Sequence, residues 1–355
     1  MNKVDYIIVG QGIAGTVVAQ TARRQGLSVM VIDELQSETA SKVSAGLVNP
    51  ITGRKFVTSW MMDDLLPFVK SVYQEFSDLL GVPFYEPKNI IRAFANNAVE
   101  NNWEVRASVP SFEQYVELNP DLGQYKNAVA PAFGYGEVTG GGQVDVPLLL
   151  EYFRAFLKKE NILLEEIFDY QDLVIEEEAV FYKNIQARKI IFCEGIGIQN
   201  NPFFNFLPIV GNKGEVLIVK IPNLDETKII KQGIFLIPLG NSIYWVGSNY
   251  FRRFEEIEPS EEGRQILLKK LEKALIVPFE IIRHRAAIRP TVPDRRPLIG
   301  VHPTLQNIVL FNGMGAKGAS IAPYWANQLF LFLEKKQPLI KEVNIERYLK
   351  KHFAF

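Results

Sequence analysis

The chain has 355 residues, with 47% hydrophobic and 22% charged side chains; that is enough for two lobes, each with its own core, in an ordinary soluble globular protein. Lys+Arg at 39 against Asp+Glu at 40 lacks the overall basic footprint of a dedicated nucleic-acid binder. A single cysteine, Cys193, excludes an intrachain disulfide and fits a reducing compartment.

No apolar run approaches the roughly 18 residues of a membrane span. The N-terminal apolar run, Tyr6 to Val9, is too short for a cleavable signal, so the expected location is the cytoplasm. His284, His302 and His352 with one cysteine offer no zinc-ligand spacing, and no metal is expected. Cys193 follows Ile190-Ile191-Phe192 in a strand-like run and reads as a buried structural thiol.

In chain order, Tyr6 to Val9 is a β-branched run suited to a buried parallel strand. Gly10-Gln11-Gly12-Ile13-Ala14-Gly15 follows: Gly10 for a sharp turn, Gly12 for close approach to a pyrophosphate, Gly15 for tight helix packing. A helix from Ile13 to Gln25 would aim its N-terminal N–H groups at the phosphates. Leu27 to Asp33 forms the second strand, and Asp33 stands 23 residues after Gly10, near the spacing of the acid that binds a ribose diol. Glu34 occupies the place where an arginine would favour a 2′-phosphate, so a cofactor with a free 2′-OH is expected.

Ser41 to Arg54 is small-residue loop chemistry. Met62 to Leu80 has helical spacing, Pro83 to Phe94 reads as a strand, Val105 to Leu118 as a short helix, and Tyr125 to Val138 as a strand pair. Asp145 is placed to cap a helix from Pro147 to Lys159. Strands are expected at 161–166, 172–176, 180–184, 188–193 and 216–221, with a hairpin around Gly240-Asn241 and a helix from Ser260 to Leu275. Finally a strand, Asn307 to Phe311, enters Asn312-Gly313-Met314-Gly315-Ala316-Lys317-Gly318 and a helix through about Leu333. This second glycine turn provides a second cluster of N–H donors, although strand–glycine–helix joints also occur as plain architecture.

The chain resembles the D-amino-acid oxidase family of FAD-dependent enzymes, which includes glycine and sarcosine oxidases, over nearly its whole length. The anchors are the first glycine motif, Ser44-Ala45-Gly46-Leu47, Gly142-Gln143-Val144-Asp145, Ile191 to Gly195, Lys213-Gly214-Glu215-Val216, Arg289 to Gly300, and Gly313 to Pro323. The resemblance implies an α/β protein: a Rossmann-like FAD-binding domain of the glutathione-reductase type (1–82, 140–215, 289–355) interleaved with an antiparallel-sheet substrate domain (83–139, 216–288). It places Gly10 to Gly15, Asp33 and Glu34 on the ADP half, Val174 beside the adenine, Ser44 to Leu47 along the isoalloxazine, and Gly195 and Gly313 to Gly318 with the cofactor. Helix N–H donors at the pyrimidine edge would favour the reduced, anionic ring; Lys317 reads either as an added positive charge there or as a solvated lysine.

Arg289 matches the position of the carboxylate-clamping arginine, with a structural ion pair to Asp294 as the other reading. Arg54 and Lys55 are further substrate-side cations or solvated loop charges. Trp60, Tyr244, Trp245 and Tyr250 either wall a pocket or fill a core, and Tyr250 is carried forward as a substrate contact. Ala287 stands where sarcosine-oxidase-like members carry a flavin-attaching cysteine, so non-covalent FAD is expected. The implied reaction is dehydrogenation of a C–N bond in an amine or amino acid, by hydride transfer to flavin N5, giving an imine that hydrolyses, with O2 or another electron acceptor. Asn49 to Arg54 departs from the small-amino-acid oxidases, and Asn312 to Pro323 is similar to the oxidase domain of a tRNA wobble-uridine modifying enzyme. Oxidative trimming of a tRNA base is therefore an alternative, as is a non-catalytic flavin-binding module; nucleic acid is a possible but not favoured partner.

Overall fold

The computed structural model describes residues 2–53 and 55–349. Its main elements, in chain order, begin with β1 (Asn2–Val9), α1 (Ile13–Arg24), β2 (Val29–Ile32), α2 (Met62–Leu80), β3 (Ile90–Phe94), α3 (Val146–Lys159) and β4 (Ile185–Phe192). They continue with β5 (Val210–Lys220), β6 (Ile229–Gln232), β7 (Ile234–Gly240), β8 (Ile243–Gly247), α4 (Glu261–Ala274), β9 (Glu280–Thr291), β10 (Ile308–Asn312) and α5 (Gly318–Lys335).

In the first sheet, Leu163–Leu164, β2, β1, β4 and β10 run parallel in that spatial order. Both faces of β1 are covered, which is why its sequence is continuously apolar. Tyr6 and Ile8 join a core with Val17 and Val18 of α1 and Trp325 and Leu329 of α5. Ile7 and Val9 point the other way, to Phe168, Tyr182 and Phe192. The carboxyl ends of β1, β2, β4 and β10 share one edge, so the segments at Gly10, Asp33, Cys193 and Gly313 meet there.

The second sheet forms a roof, in the order β9-β5-β8-β7-β6-β3, followed by Gly134–Val138 and Val116–Leu118. One face carries Leu217, Leu236 and Val246 against Leu267 and Leu271 of α4. The opposite face looks toward the first lobe, where Val216 and Ala287 meet Val43 and the Trp245 indole N–H donates to the Val43 carbonyl at 2.8 Å. The expected domain boundaries at 215/216 and 288/289 fall inside β5 and β9, which are paired from Val210–Thr291 to Lys220–Glu280.

Between residues 83 and 139 the sequence expectations need correction. The strand expected from Pro83 to Phe94 is two strands in different sheets: Tyr85–Pro87 pairs with Gly142–Val144, and β3 joins the roof. The helix expected at 105–118 lies earlier, at Asn97–Ala107, followed by a short turn of helix at Pro110–Glu113 and a strand at Val116–Leu118. The expected strand pair at 125–138 is a 3-10 turn, Gly123–Asn127, and one strand, Gly134–Val138. Helix 97–107 buries one side chain, Trp103, so it has no apolar period to read.

The helix caps follow the sequence. The Asp145 carboxylate accepts from the Leu148 N–H at 3.1 Å, and the Ser260 hydroxyl from the Gly263 N–H at 3.1 Å. Asp145→Ala is expected to cost about 1 kcal/mol, read as a lower urea midpoint with an unchanged slope.

Candidate functional site

The groove lies along the carboxyl edge of the parallel sheet, where open α/β folds bind nucleotides. At one end, Gly10 turns the chain with φ +97°, and a Cβ on Gly15 would lie 1.8 Å from the Gly10 carbonyl oxygen. These two glycines therefore let α1 start directly against the end of β1. No side chain caps α1 at Gly12; the Ile13 N–H donates to the Ser41 hydroxyl at 3.0 Å, and the other first-turn N–H groups have no helical acceptor. Ala14 and Gly15 belong to this turn.

Asp33 follows β2. One of its carboxylate oxygens accepts from the Gln11 N–H at 2.7 Å, and the other from the Arg154 guanidinium at 2.6 Å. Burial raises its pKa, opposed by those two donors. Arg154, from α3, is itself buried and is steadied by the Gln11 amide oxygen at 3.1 Å and Glu165 at 2.9 Å. Glu34, next along, accepts from the Gln36 amide. Neither Ser41 nor Arg154 was identified from sequence: serine is common in loops, and Arg154 is a basic residue inside an amphipathic helix.

At the other end, Gly313 and Gly315 have φ +76° and +56°. A Cβ on Gly313 would meet the Val292 side chain at 2.7 Å, whereas one on Gly315 would come no closer than 4.0 Å to Pro290 and Thr291; Gly315 donates its N–H to the Pro290 carbonyl at 3.1 Å. Met314 is buried, Ala316 and Lys317 are exposed, and α5 starts at Lys317 without a side-chain cap. The Asn312 amide donates to the Gly195 carbonyl at 2.9 Å, tying this turn to the segment that follows β4. The two helix tips touch: a Cβ on Gly318 would come within 2.8 Å of Ile13. Two uncapped helix N-termini thus open side by side onto one groove, an arrangement that suits a diphosphate at one tip and an electron-rich ring at the other.

The loop Ser44 to Leu47 borders this groove. Gly46, with φ +64°, packs so closely on the next strand that a Cβ would lie 1.7 Å from the Val144 carbonyl oxygen, and Ala45 and Val43 are buried. Val174 is not brought to the groove. Its strand, Leu173–Ile175, pairs only through the hairpin partner Val180–Tyr182, which meets β4 at its start, Ile185–Ala187. The groove lies at the other end of β4. The residues beside Asp33 are those after Leu164, whose carbonyl accepts from the Asp33 N–H at 3.1 Å. Burial raises the pKa of Cys193 well above its usual value, as expected of a packing thiol.

Arg289, near the end of β9, lies on the roof face turned toward the groove. Its guanidinium donates to Asn212 at 3.2 Å and to the Ser248 hydroxyl at 2.8 Å and stacks 4.5 Å from the ring of Tyr250, which is 63% exposed. Burial lowers its pKa, which Tyr250 opposes. The ion pair with Asp294 does not form; Asp294 pairs with Arg347 at 2.9 Å. Gly214 explains the placement, since a Cβ there would lie 1.9 Å from the guanidinium. Its neighbours Lys213 and Glu215 face the other side of the sheet as a buried pair at 3.2 Å. Gly214→Ala is expected to push Arg289 aside and raise KM several-fold for a carboxylated substrate, while FAD content stays at the wild-type level.

Lys317 reaches solvent near Arg295 and Arg296, and its partial burial and these charges lower its pKa. Arg296 covers Trp60 at 4.3 Å, and Trp60 stacks on Trp325. Tyr244 is core, donating its hydroxyl to the Leu224 carbonyl at 2.8 Å. Arg54 lies outside the described residues; Lys55 is exposed. Among the described residues no cluster of His, Cys, Asp or Glu could hold a metal, and no helix is long and apolar enough to cross a membrane.

Solved structures share this architecture. Glycine oxidase from Geobacillus kaustophilus superposes with a TM-score of 0.78 at 18% identity, covering 96% of each chain. L-proline dehydrogenase from P. horikoshii gives 0.78 at 14% identity over 99% of each, and FAD-bound L-α-glycerophosphate oxidase from Mycoplasma pneumoniae gives 0.72 at 14%, over 97% of this chain and 99% of that one. In sequence, the chain is 22% identical to the tRNA 5-methylaminomethyl-2-thiouridine biosynthesis bifunctional protein MnmC of Idiomarina loihiensis, over 98% of this chain and 59% of that protein. It is 26% identical to glycine oxidase of Bacillus subtilis, over 54% of this chain and 56% of that one. The chain spans about half the length of the curated relatives it matches. The sequence profile of the FAD dependent oxidoreductase (DAO) family matches residues 5–329, and with groove and roof both accounted for, the chain belongs to that family.

Proposed function

We propose that this FAD-dependent oxidoreductase dehydrogenates a C–N bond in a small amine that carries a carboxylate. The observation that carries this reading is Arg289: a half-buried guanidinium on the roof, held by two neutral oxygens and an aromatic ring, with no carboxylate of the described residues bonded to it. A partly desolvated cation without a counter-charge is suited to an anionic ligand.

FAD, when bound, supplies the two-electron acceptor that turns the amine into an imine, which water then hydrolyses. The chain's own part is placement. Asp33 would hold the ribose, the α1 tip the diphosphate, the α5 tip with Lys317 the pyrimidine edge, and Arg289 with Tyr250 the substrate carboxylate. Such chemistry depends on orientation and electrostatics more than on a dedicated acid or base, and none of the three histidines is needed for it. O2 or another acceptor would take the electrons onward, and the single buried cysteine fits a cytoplasmic setting.

The test is anaerobic bleaching of the purified flavoprotein by D- and L-amino acids, N-alkyl amino acids and modified nucleosides. Bleaching by a carboxylated amine supports the reading; a flavin that no amine bleaches would favour the non-catalytic module. A second reading, trimming of a modified tRNA base, draws on the MnmC relationship and on exposed Arg252, Arg253 and Arg295 with Arg296 over Trp60. It predicts bleaching by the modified nucleoside or by tRNA, with affinity falling steeply as salt rises.

A further inference from the structure

Arg289 is not the only cation on the groove-facing side of the roof. Lys231 of β6 and Arg92 of β3 are direct partners in adjacent parallel strands. Their side chains fall on the same face as Ile229 and Ile90, which belong to the core between the lobes; the intervening Ile230 and Ile91 belong to the core under α4. Alternation along a strand fixes this orientation.

The Lys231 ammonium lies 4.2 Å from the ring centre of Phe235, and among the described residues its other electrostatic neighbours are the cations Arg92 and Lys270. Burial, Arg92 and Lys270 push its pKa down to about 8. The Arg92 guanidinium lies 4.5 Å from the centre of the Phe56 ring and donates to the Gly53 carbonyl at 2.6 Å, which leaves most of its N–H donors unspent. Burial pushes its pKa down to about 10. No carboxylate among the described residues bonds either group. Burial disfavours the charge on both groups, and Arg92 adds to the cost of charging Lys231, so the aromatic faces offset these costs only in part. An anion between them would relieve both costs.

The geometry points to a second anion-binding site formed by Lys231 and Arg92, and so to an amine substrate with a second negative group about 12 Å from the one at Arg289. The distance follows from the strands. Lys231 leans over β7, and the Arg289 guanidinium sits against Gly214 of β5; β8 lies between, and Phe235 is level with Val216 rather than Gly214, so two strand spacings and a two-residue offset separate them, about 12 Å. That exceeds the reach of a short dicarboxylic amino acid and selects an elongated substrate ending in a carboxylate or a phosphate. The inference rests on the proposed role of Arg289 and adds the substrate's far end.

Suberate, its monomethyl ester and 8-phosphonooctanoate, titrated into the purified holoprotein while the flavin absorbance is followed, test this. Suberate is expected to bind about 10-fold or more tightly than its ester. Lys231→Met should remove that preference without altering ester binding, and Lys231→Arg should keep it; the retained flavin spectrum reports that each variant is folded. Tighter binding of the phosphonate than of suberate would identify phosphate as the far group, and the reverse a carboxylate. Equal affinity for suberate and ester, or a preference that survives Lys231→Met, overturns the second site; ester binding lost in Arg289→Ala would in that case leave the proposed function standing. Absence of any spectral response to all three acids overturns both.

Discussion

Gly15→Ala will yield a protein that retains little or no FAD. The added methyl would sit 1.8 Å from the Gly10 carbonyl oxygen and near the Cys193 side chain, far inside any real contact. Helix α1 must then move off the end of β1, carrying its free N–H groups away from the proposed diphosphate site. Overpacking of this kind costs about 1–3 kcal/mol. Placed on the proposed cofactor-binding turn, that corresponds to a loss of roughly 5- to 150-fold in FAD affinity, measured by the flavin fluorescence released on dilution. Gly26→Ala is the control: Gly26 also has positive φ, +77°, but nothing lies within 4 Å of its Cβ position. It should cost about 1 kcal/mol of stability and keep its flavin. Wild-type FAD retention by Gly15→Ala would refute the close-packed turn.

For Arg289→Ala the expected result is a rise in KM on the order of 10²-fold for a carboxylated amine, with kcat changed less. Each charge-assisted hydrogen bond contributes about 1.5–3 kcal/mol, and a bidentate clamp makes two, part of which is spent on ordering the ligand. Arg289→Lys should recover little, because a point charge cannot reproduce the planar fork that Asn212 and Ser248 hold in place. Amines without a carboxylate should be unaffected by either change. An unchanged KM for the carboxylated amine would remove Arg289 from the site.

How far the sequence could be read depended on whether function or packing wrote a periodic signal. Helix α2 was legible from end to end by its spacing: Met62, Leu65, Leu66, Val69, Val72, Tyr73 and Phe76 are its buried residues, and Gly81, in the left-handed region, ends it. The two glycine turns were legible because positive φ and close approach restrict residue choice. The 83–139 segment was not, because its strands are split between two sheets and its helix buries one tryptophan. Val174 shows a different limit: a valine in an exposed hairpin strand is indistinguishable in sequence from one beside a nucleotide, and only strand order separates them. Asn212, Ser248, Arg92 and Lys231 left no local signature either, since what unites them is one side of the roof, built from three separate strands and the residue that follows a fourth.

The pairing of β5 with β9 has a mechanical consequence. The two strands cross from one lobe to the other side by side, paired from the groove to the far end of the roof with one register shift at Ile218/Val219, so a clamshell motion between the lobes would have to bend this paired ribbon. Hinges need a few residues free to change φ and ψ, and a paired strand interior offers none. Ligands should therefore enter by displacement of a rim segment such as 248–256, and small-angle scattering should record the same radius of gyration with the groove filled or vacant.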